Sequence, residues 1–183
     1  MKEGYTLITG ASKGIGLELT KIFAKNHHNL ILVARSKDVL IKLKDNLTKE
    51  YNIKIEVIVA DLTIHNVATE IYQKTKELGC RVDYLINNAG FGDYGEFLDS
   101  SMIKNHNMVH INIIGLIDLC YLYAKDMKAY DFGKIMNVAS IASFIPGPLM
   151  ATYYATKSFV LSFSEALSKE LKTAKVTVTA LCP

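Results

Sequence analysis

Residues 5–9 (YTLIT) are a short apolar run that passes directly into GASKGIG, residues 10–16, after which apolar residues recur at Ile15, Leu19, Ile22 and Phe23. A five-residue run has the length of a strand, and the recurrence is that of a helix face, so the glycines lie on a strand-to-helix turn. Glycine permits the tight turn and lets another group approach the backbone closely. The helix that follows presents unpaired N–H groups toward the turn, where an anion is favoured. A buried strand feeding a helix in this way has to bury its apolar faces against further elements.

The chain goes on to supply them. Leu30–Ala34 (LILVA) is a continuous apolar run, as expected of a strand buried on both faces. Ser36 is placed to cap a helix reaching about Tyr51, and Ile53–Ala60 is a β-branched strand. A polar-faced helix is expected over Ile64–Leu78, stopped at Gly79. Val82–Ile86 is a strand entering NNAG (87–90), and one long helix is expected over 101–130. Lys134–Val138 is a fifth strand, and Pro146 and Pro148 mark an irregular loop. A helix over 151–171 has an apolar stripe of Ala155, Phe159, Phe163, Ala166 and Leu167; Val176–Leu181 is the sixth strand. This alternation predicts an α/β protein: a Rossmann-type, doubly wound parallel sheet in three αβα layers, as one domain over residues 1–183.

Composition removes several function classes. The net charge is only +3 and no Lys/Arg run stands out, so no nucleic-acid partner is expected. The apolar runs read as too short for a bilayer, the N-terminus lacks a signal-peptide core, and no membrane partner is expected. Cys80, Cys120 and Cys182 are widely spaced and odd in number, which suits free thiols in a reducing, cytoplasmic setting. No metal site is expected: His106 and His110 stand at i, i+4 without a third ligand, and His27–His28 end a helix.

The chemistry lies in residues 137–157. Tyr153 and Lys157 stand at i, i+4 and share a helix face, where an ammonium favours the ionised phenol and makes it a proton donor and acceptor. Ser140 adds a hydroxyl thirteen positions before Tyr153. By spacing alone Ser143 competes with Ser140, and Tyr154, at i+3 from the lysine, with Tyr153.

The combination of TGxxxGIG, NNAG, a serine and YxxxK resembles the short-chain dehydrogenase/reductase family, in its NADP-preferring branch. That register selects Ser140, Tyr153 and Lys157, and adds Asn112, forty-one residues before Tyr153, which in relatives holds a water linking the lysine to solvent. The resemblance implies hydride transfer at a carbonyl or secondary alcohol, with Tyr153 as acid/base, Ser140 orienting the oxygen and Lys157 also binding the nicotinamide ribose. Cofactor residues implied are Gly10, Ser12, Lys13, Gly14, Ile15 and Gly16 in the turn, then Asp61-Leu62 at the adenine and Asn88, Ala89 and Gly90 beside the adenosine. Arg35 closes the second strand where an acid would select NAD; with Lys13 it favours NADP(H).

Relatives continue beyond the position of Pro183 through a Pro-Gly turn to a substrate lid and a seventh strand, so the 183 residues are expected to be the retained part of a longer fold. A homodimer or homotetramer is implied by the same resemblance. Phe144, Ile145, Leu149 and Met150 are expected to make an apolar pocket rim for a ketone, aldehyde or alcohol. A 3-oxoacyl-chain reductase and a non-catalytic nucleotide sensor are the alternatives.

Overall fold

The computed structural model describes residues 4–183. In chain order it contains β1 (Gly4–Thr9), α1 (Gly14–Lys25), β2 (Asn29–Ala34), α2 (Lys37–Tyr51), β3 (Ile55–Val59) and α3 (Val67–Glu77). There follow β4 (Arg81–Asn87), α4 (Met102–Val109), α5 (Gly115–Ala129), β5 (Gly133–Val138), α6 (Ala151–Glu170) and β6 (Val176–Leu181). The six strands are parallel and pair in the order β3-β2-β1-β4-β5-β6. The chain therefore winds outward from β1 in one direction and, after crossing to β4, in the other. The crevice beyond the strand ends at that reversal is where such sheets bind ligands.

Strand alternation divides the core in two. Leu7, Ile31, Val33 and Leu85 pack on one face with Ile71, Leu119, Tyr123 and Val160 from α3, α5 and α6. Ile8, Leu30, Leu32 and Ile86 pack on the other with Ala24 and Leu40 from α1 and α2. Both faces are covered, which is why the strands read as unbroken apolar runs.

Four local expectations are corrected. Ser36 stands at the start of α2 but its side chain makes no capping bond. The long helix is interrupted by a π turn, His110–Ile114, at which Gly115 N–H reaches back to His110 O. Taken as one helical run with that turn, Met102–Ala129 is also long and apolar enough, with mean hydropathy 1.3, to cross a membrane by length and composition. Here Leu116, Leu119, Tyr123 and Met127 bury one side of it against the sheet. Finally, the stripe read on α6 is only in part its inner face: Phe163 and Leu167 pack against the core beside Val160. Ala155, Phe159 and Ala166 are exposed, and the buried positions are Thr156, Lys157, Val160 and Ser164.

Candidate active site

The ends of β1 and β4 are tied together by side chains that the NNAG and Thr-Gly segments supply. Thr9 Oγ1 accepts from the backbone N–H groups of Asn88 and Ala89, both at 3.0 Å, while Asn88 Nδ2 donates to Thr9 O at 2.9 Å. Asn88 is thus engaged in architecture and holds the glycine turn in place. Gly16 lies inside this knot: an added Cβ would stand 2.2 Å from Gly10 O. Gly14, with φ +56°, faces open space instead, at the N-terminus of α1. The turn therefore has a closed side that packs and an open side where an anion meets helix N–H groups.

At one end of the crevice Arg35 extends from β2, its side chain 70% exposed, with one guanidinium nitrogen 3.7 Å from Asp61 Oδ2. Asp61 Oδ1 accepts from Thr63 N–H and Oγ1–H at 3.0 and 2.9 Å. Burial raises the Asp61 carboxyl, but these two bonds together with Arg35 outweigh it and hold the group below its usual range. The arrangement is a cation beside a fixed carboxylate, with Lys13 exposed at the start of α1.

At the other end Ser140 follows β5, extended at φ −170°, its Oγ accepting from Ala142 N–H at 3.2 Å. Lys157 comes from α6, is 6% exposed, and donates to Val138 O at 2.7 Å. Its Nζ lies 5.8 Å from the centre of the Tyr153 ring. Burial pulls the Lys157 ammonium down to about 8, against a smaller opposing effect of Cys182.

The residues that compete by spacing lie apart in space. Tyr153 faces the crevice with Ser140 and Lys157, whereas Tyr154 lies in a separate groove against Gly147 and Ala155. Ser143 is buried and its hydroxyl is committed to Lys157 O at 2.8 Å. Asn112 and Gly16 do not line the crevice. The Asn112 amide donates to Phe91 O and Thr156 Oγ1, both at 3.0 Å, and accepts from Phe91 N–H at 3.2 Å. Its side chain is occupied by protein partners, so it acts as a clamp between the loop after β4 and α6. The π turn at this point opens the backbone ladder beside it.

The rest of the expected set meets in one cleft of about 730 Å³ along the strand ends. Gly10, Ser12, Lys13, Gly14 and Ile15 lie at its middle; Arg35, Asp61 and Leu62 at one end; Ala89, Gly90, Ser140, Tyr153 and Lys157 toward the other, with Asn88 between. Thr63, Gly92, Ile111 and Pro183 also line it and were not singled out from sequence, although Gly92 is informative: a Cβ there would stand 2.9 Å from the Tyr153 ring. A cleft of this volume, with cations and helix N–H groups in one part and a buried lysine with two hydroxyls in another, fits a nicotinamide dinucleotide.

Comparison with known proteins agrees with this geometry. The family profile described as short chain dehydrogenase matches residues 5–183. The chain is 28% identical over 186 residues to a very-long-chain 3-oxoacyl-CoA reductase of Rattus norvegicus, covering 98% of this chain and 58% of that protein. It thus spans little more than half the length of such curated relatives. Among solved structures, a bulky-bulky ketone specific alcohol dehydrogenase from Comamonas testosteroni superposes with TM-score 0.93 at 35% identity, over 100% of this chain and 73% of that one. A short-chain dehydrogenase from Sphingobium yanoikuyae in complex with NADPH gives TM-score 0.93 at 34% identity, over 98% and 70%.

Proposed function

The chain belongs to the short-chain dehydrogenase family, and from that premise we propose that it is an NADP(H)-dependent oxidoreductase that reduces an apolar ketone or aldehyde, or oxidises the corresponding alcohol. The observation that carries this reading is the placement of Ser140, Tyr153 and Lys157 in one cleft with the glycine turn and Arg35. NADPH, when bound, supplies the hydride that adds to the carbonyl carbon. Tyr153 gives its phenolic proton to the carbonyl oxygen as the alcohol forms, and takes one back in the reverse direction. Ser140 Oγ–H donates to the same oxygen and fixes its direction. Lys157 stabilises the phenolate left on Tyr153 and offers its remaining N–H bonds to the ribose. Arg35 and Lys13 hold the 2′-phosphate.

A 3-oxoacyl thioester is the second substrate reading, supported by the reductase relative. The three free thiols suit a cytoplasmic, reducing setting. Self-association through helices is part of the same proposal.

A paired fluorescence titration with NADPH and NADH tests the cofactor reading: NADPH should bind more tightly, and equal affinities unchanged by Arg35→Ala would end it. Tyr153→Phe should abolish turnover on a panel of ketones and 3-oxoacyl thioesters while NADPH affinity holds. Retained turnover would overturn the role given to Tyr153.

A further inference from the structure

Helix α6 carries both Tyr153 and Lys157, so its rotation about its own axis decides whether they meet Ser140. Helices are usually set in rotation by an apolar stripe. The fully buried positions of α6 are Thr156, Lys157, Val160 and Ser164, and only one of these is apolar. Phe163 and Leu167 pack beside them but remain partly exposed.

Hydrogen bonds supply what the stripe lacks. Near the site, Ser143 Oγ donates to Lys157 O at 2.8 Å and Ser158 Oγ to Ser143 O at 2.9 Å. Two turns farther along the same face, Ser164 Oγ accepts from Asn137 Nδ2 at 2.9 Å and donates to Val160 O at 2.6 Å. Asn137 is completely buried on β5, stands opposite Asn87 of β4 in the sheet register, and accepts from Asn87 Nδ2 at 2.9 Å. Asn87 in turn reaches Cys120 Sγ of α5 at 3.2 Å. A polar rod therefore crosses from α5 through two strands to α6, inside an apolar core. It does not satisfy itself fully, because Asn87 Oδ1 is buried without a protein partner. A pair of apolar side chains would avoid that cost. Asn137 also lies three residues before Ser140 and next to Val138, whose carbonyl accepts from Lys157. The strand that presents the serine thus holds the helix that presents the tyrosine and lysine.

We infer that Asn137 and Ser164, through their buried hydrogen bond, are positioning residues that set the rotation of α6 and hence the placement of Tyr153 and Lys157 against Ser140. Rotating α6 would strand the Asn137 amide in the core, so the tie sharpens the rotation that Val160, Phe163 and Leu167 set by their apolar contacts. The catalytic consequence rests on the reaction proposed above; the placement of Lys157 does not.

The test is Ser164→Ala, which removes one hydroxyl and keeps helix propensity, read in two ways. Competitive labelling of the Lys157 amine, followed by mass spectrometry across pH, reports its burial without any turnover. In the wild type it should titrate near 8, and in the variant it should move up toward 10.5, with Ser164→Thr restoring the lower value. Where turnover is measurable, kcat should fall about tenfold with the KM for NADPH within about twofold, as misplacement of reacting groups requires. A Lys157 titration unchanged in Ser164→Ala, alongside a lower Tm, would overturn the inference and leave the pair a purely structural bond. Absence of turnover in the wild type counts against the proposed function alone, and the labelling result still decides this inference. If Ser164→Ala does not fold, Ser164→Cys, which keeps the volume and weakens the acceptor, is read in the same way.

Discussion

Lys157 holds a charge in a place that disfavours it. It is 6% exposed, its ammonium donates to the neutral carbonyl of Val138, and among the described residues no carboxylate pairs with it. A fall from 10.5 to about 8 corresponds to roughly 3 kcal/mol of strain on the charged form. The sign follows from proton binding. Below about pH 8 the lysine is charged in both states and the folded protein bears the full penalty. Between there and about 10.5 the folded state loses its proton first, and the penalty is relieved. Lys157→Met should therefore raise stability in urea near pH 7 by up to about 3 kcal/mol, with the gain shrinking toward about pH 10. An unchanged or lower denaturation midpoint for the variant near neutrality would contradict this. Asp61 poses the reverse problem, since its carboxylate stands 3.7 Å from the guanidinium proposed to hold a 2′-phosphate. The pair is largely exposed and weak by itself, but a phosphate arriving at Arg35 meets that negative charge. Asp61→Asn should tighten NADPH relative to NADH by about two- to fivefold in the paired titration, and a shift toward NADH would refute the competition.

The glycine turn shows how two residues of one type do different work within one element. Gly16→Ala would drive a Cβ to 2.2 Å from Gly10 O and 2.4 Å from Asn88 Nδ2, both parts of the knot between β1 and β4. Gly14→Ala meets no atom within 4 Å and carries only the left-handed backbone cost at φ +56°. Chemical unfolding should therefore show Gly16→Ala destabilised by about 2–4 kcal/mol and Gly14→Ala by about 1–2 kcal/mol; equal losses would mean that α1 moves freely. The turn was legible because its glycines stand between an apolar run and a helical period. The six strands were legible for a similar reason, being buried on both faces and hence apolar throughout. The inner face of α6 was legible only at Phe163 and Leu167, because Ala155, Phe159 and Ala166 face outward while two hydroxyls and a lysine face in beside Val160. Nor was the π turn: no residue in HINII requires one, and it is apparent only from the backbone bond spanning five residues. Tyr153 and Tyr154 both stand one helical turn from Lys157, so only the position of α6 against the loop at Gly92 and Gly147 separates them.

At the scale of the whole molecule, the sheet order brings distant stretches of chain to one edge: the glycine turn after β1, Arg35 after β2, Asp61 after β3, NNAG at β4 and Ser140 after β5 all lie at strand C-terminal ends. Helix α6 enters this edge from the side with Tyr153 and Lys157, which leaves its opposite face turned away from the sheet. That face carries Ala155, Ala166 and Phe159, the last stacked on Phe163 with ring centres 5.8 Å apart. The helix it packs against exposes Val109 and Ile114. Small residues on an outward helix face allow close approach of another helix, the aromatic ring adds apolar area, and an exposed apolar period on a helix already buried on its other side has value chiefly when it is covered. A second copy, related by a two-fold axis, would present the same face and make the contact self-complementary. Wild-type protein at micromolar concentration should therefore sediment with twice the chain mass. Phe159→Glu should sediment as a monomer while keeping its circular dichroism and its NADPH affinity, since the substituted side chain points away from the cleft. A wild-type monomer would show that this face remains uncovered in the protein alone. A Lys157 titration raised in the monomeric variant would show that the rotation of α6 depends on the second copy as well as on Asn137 and Ser164.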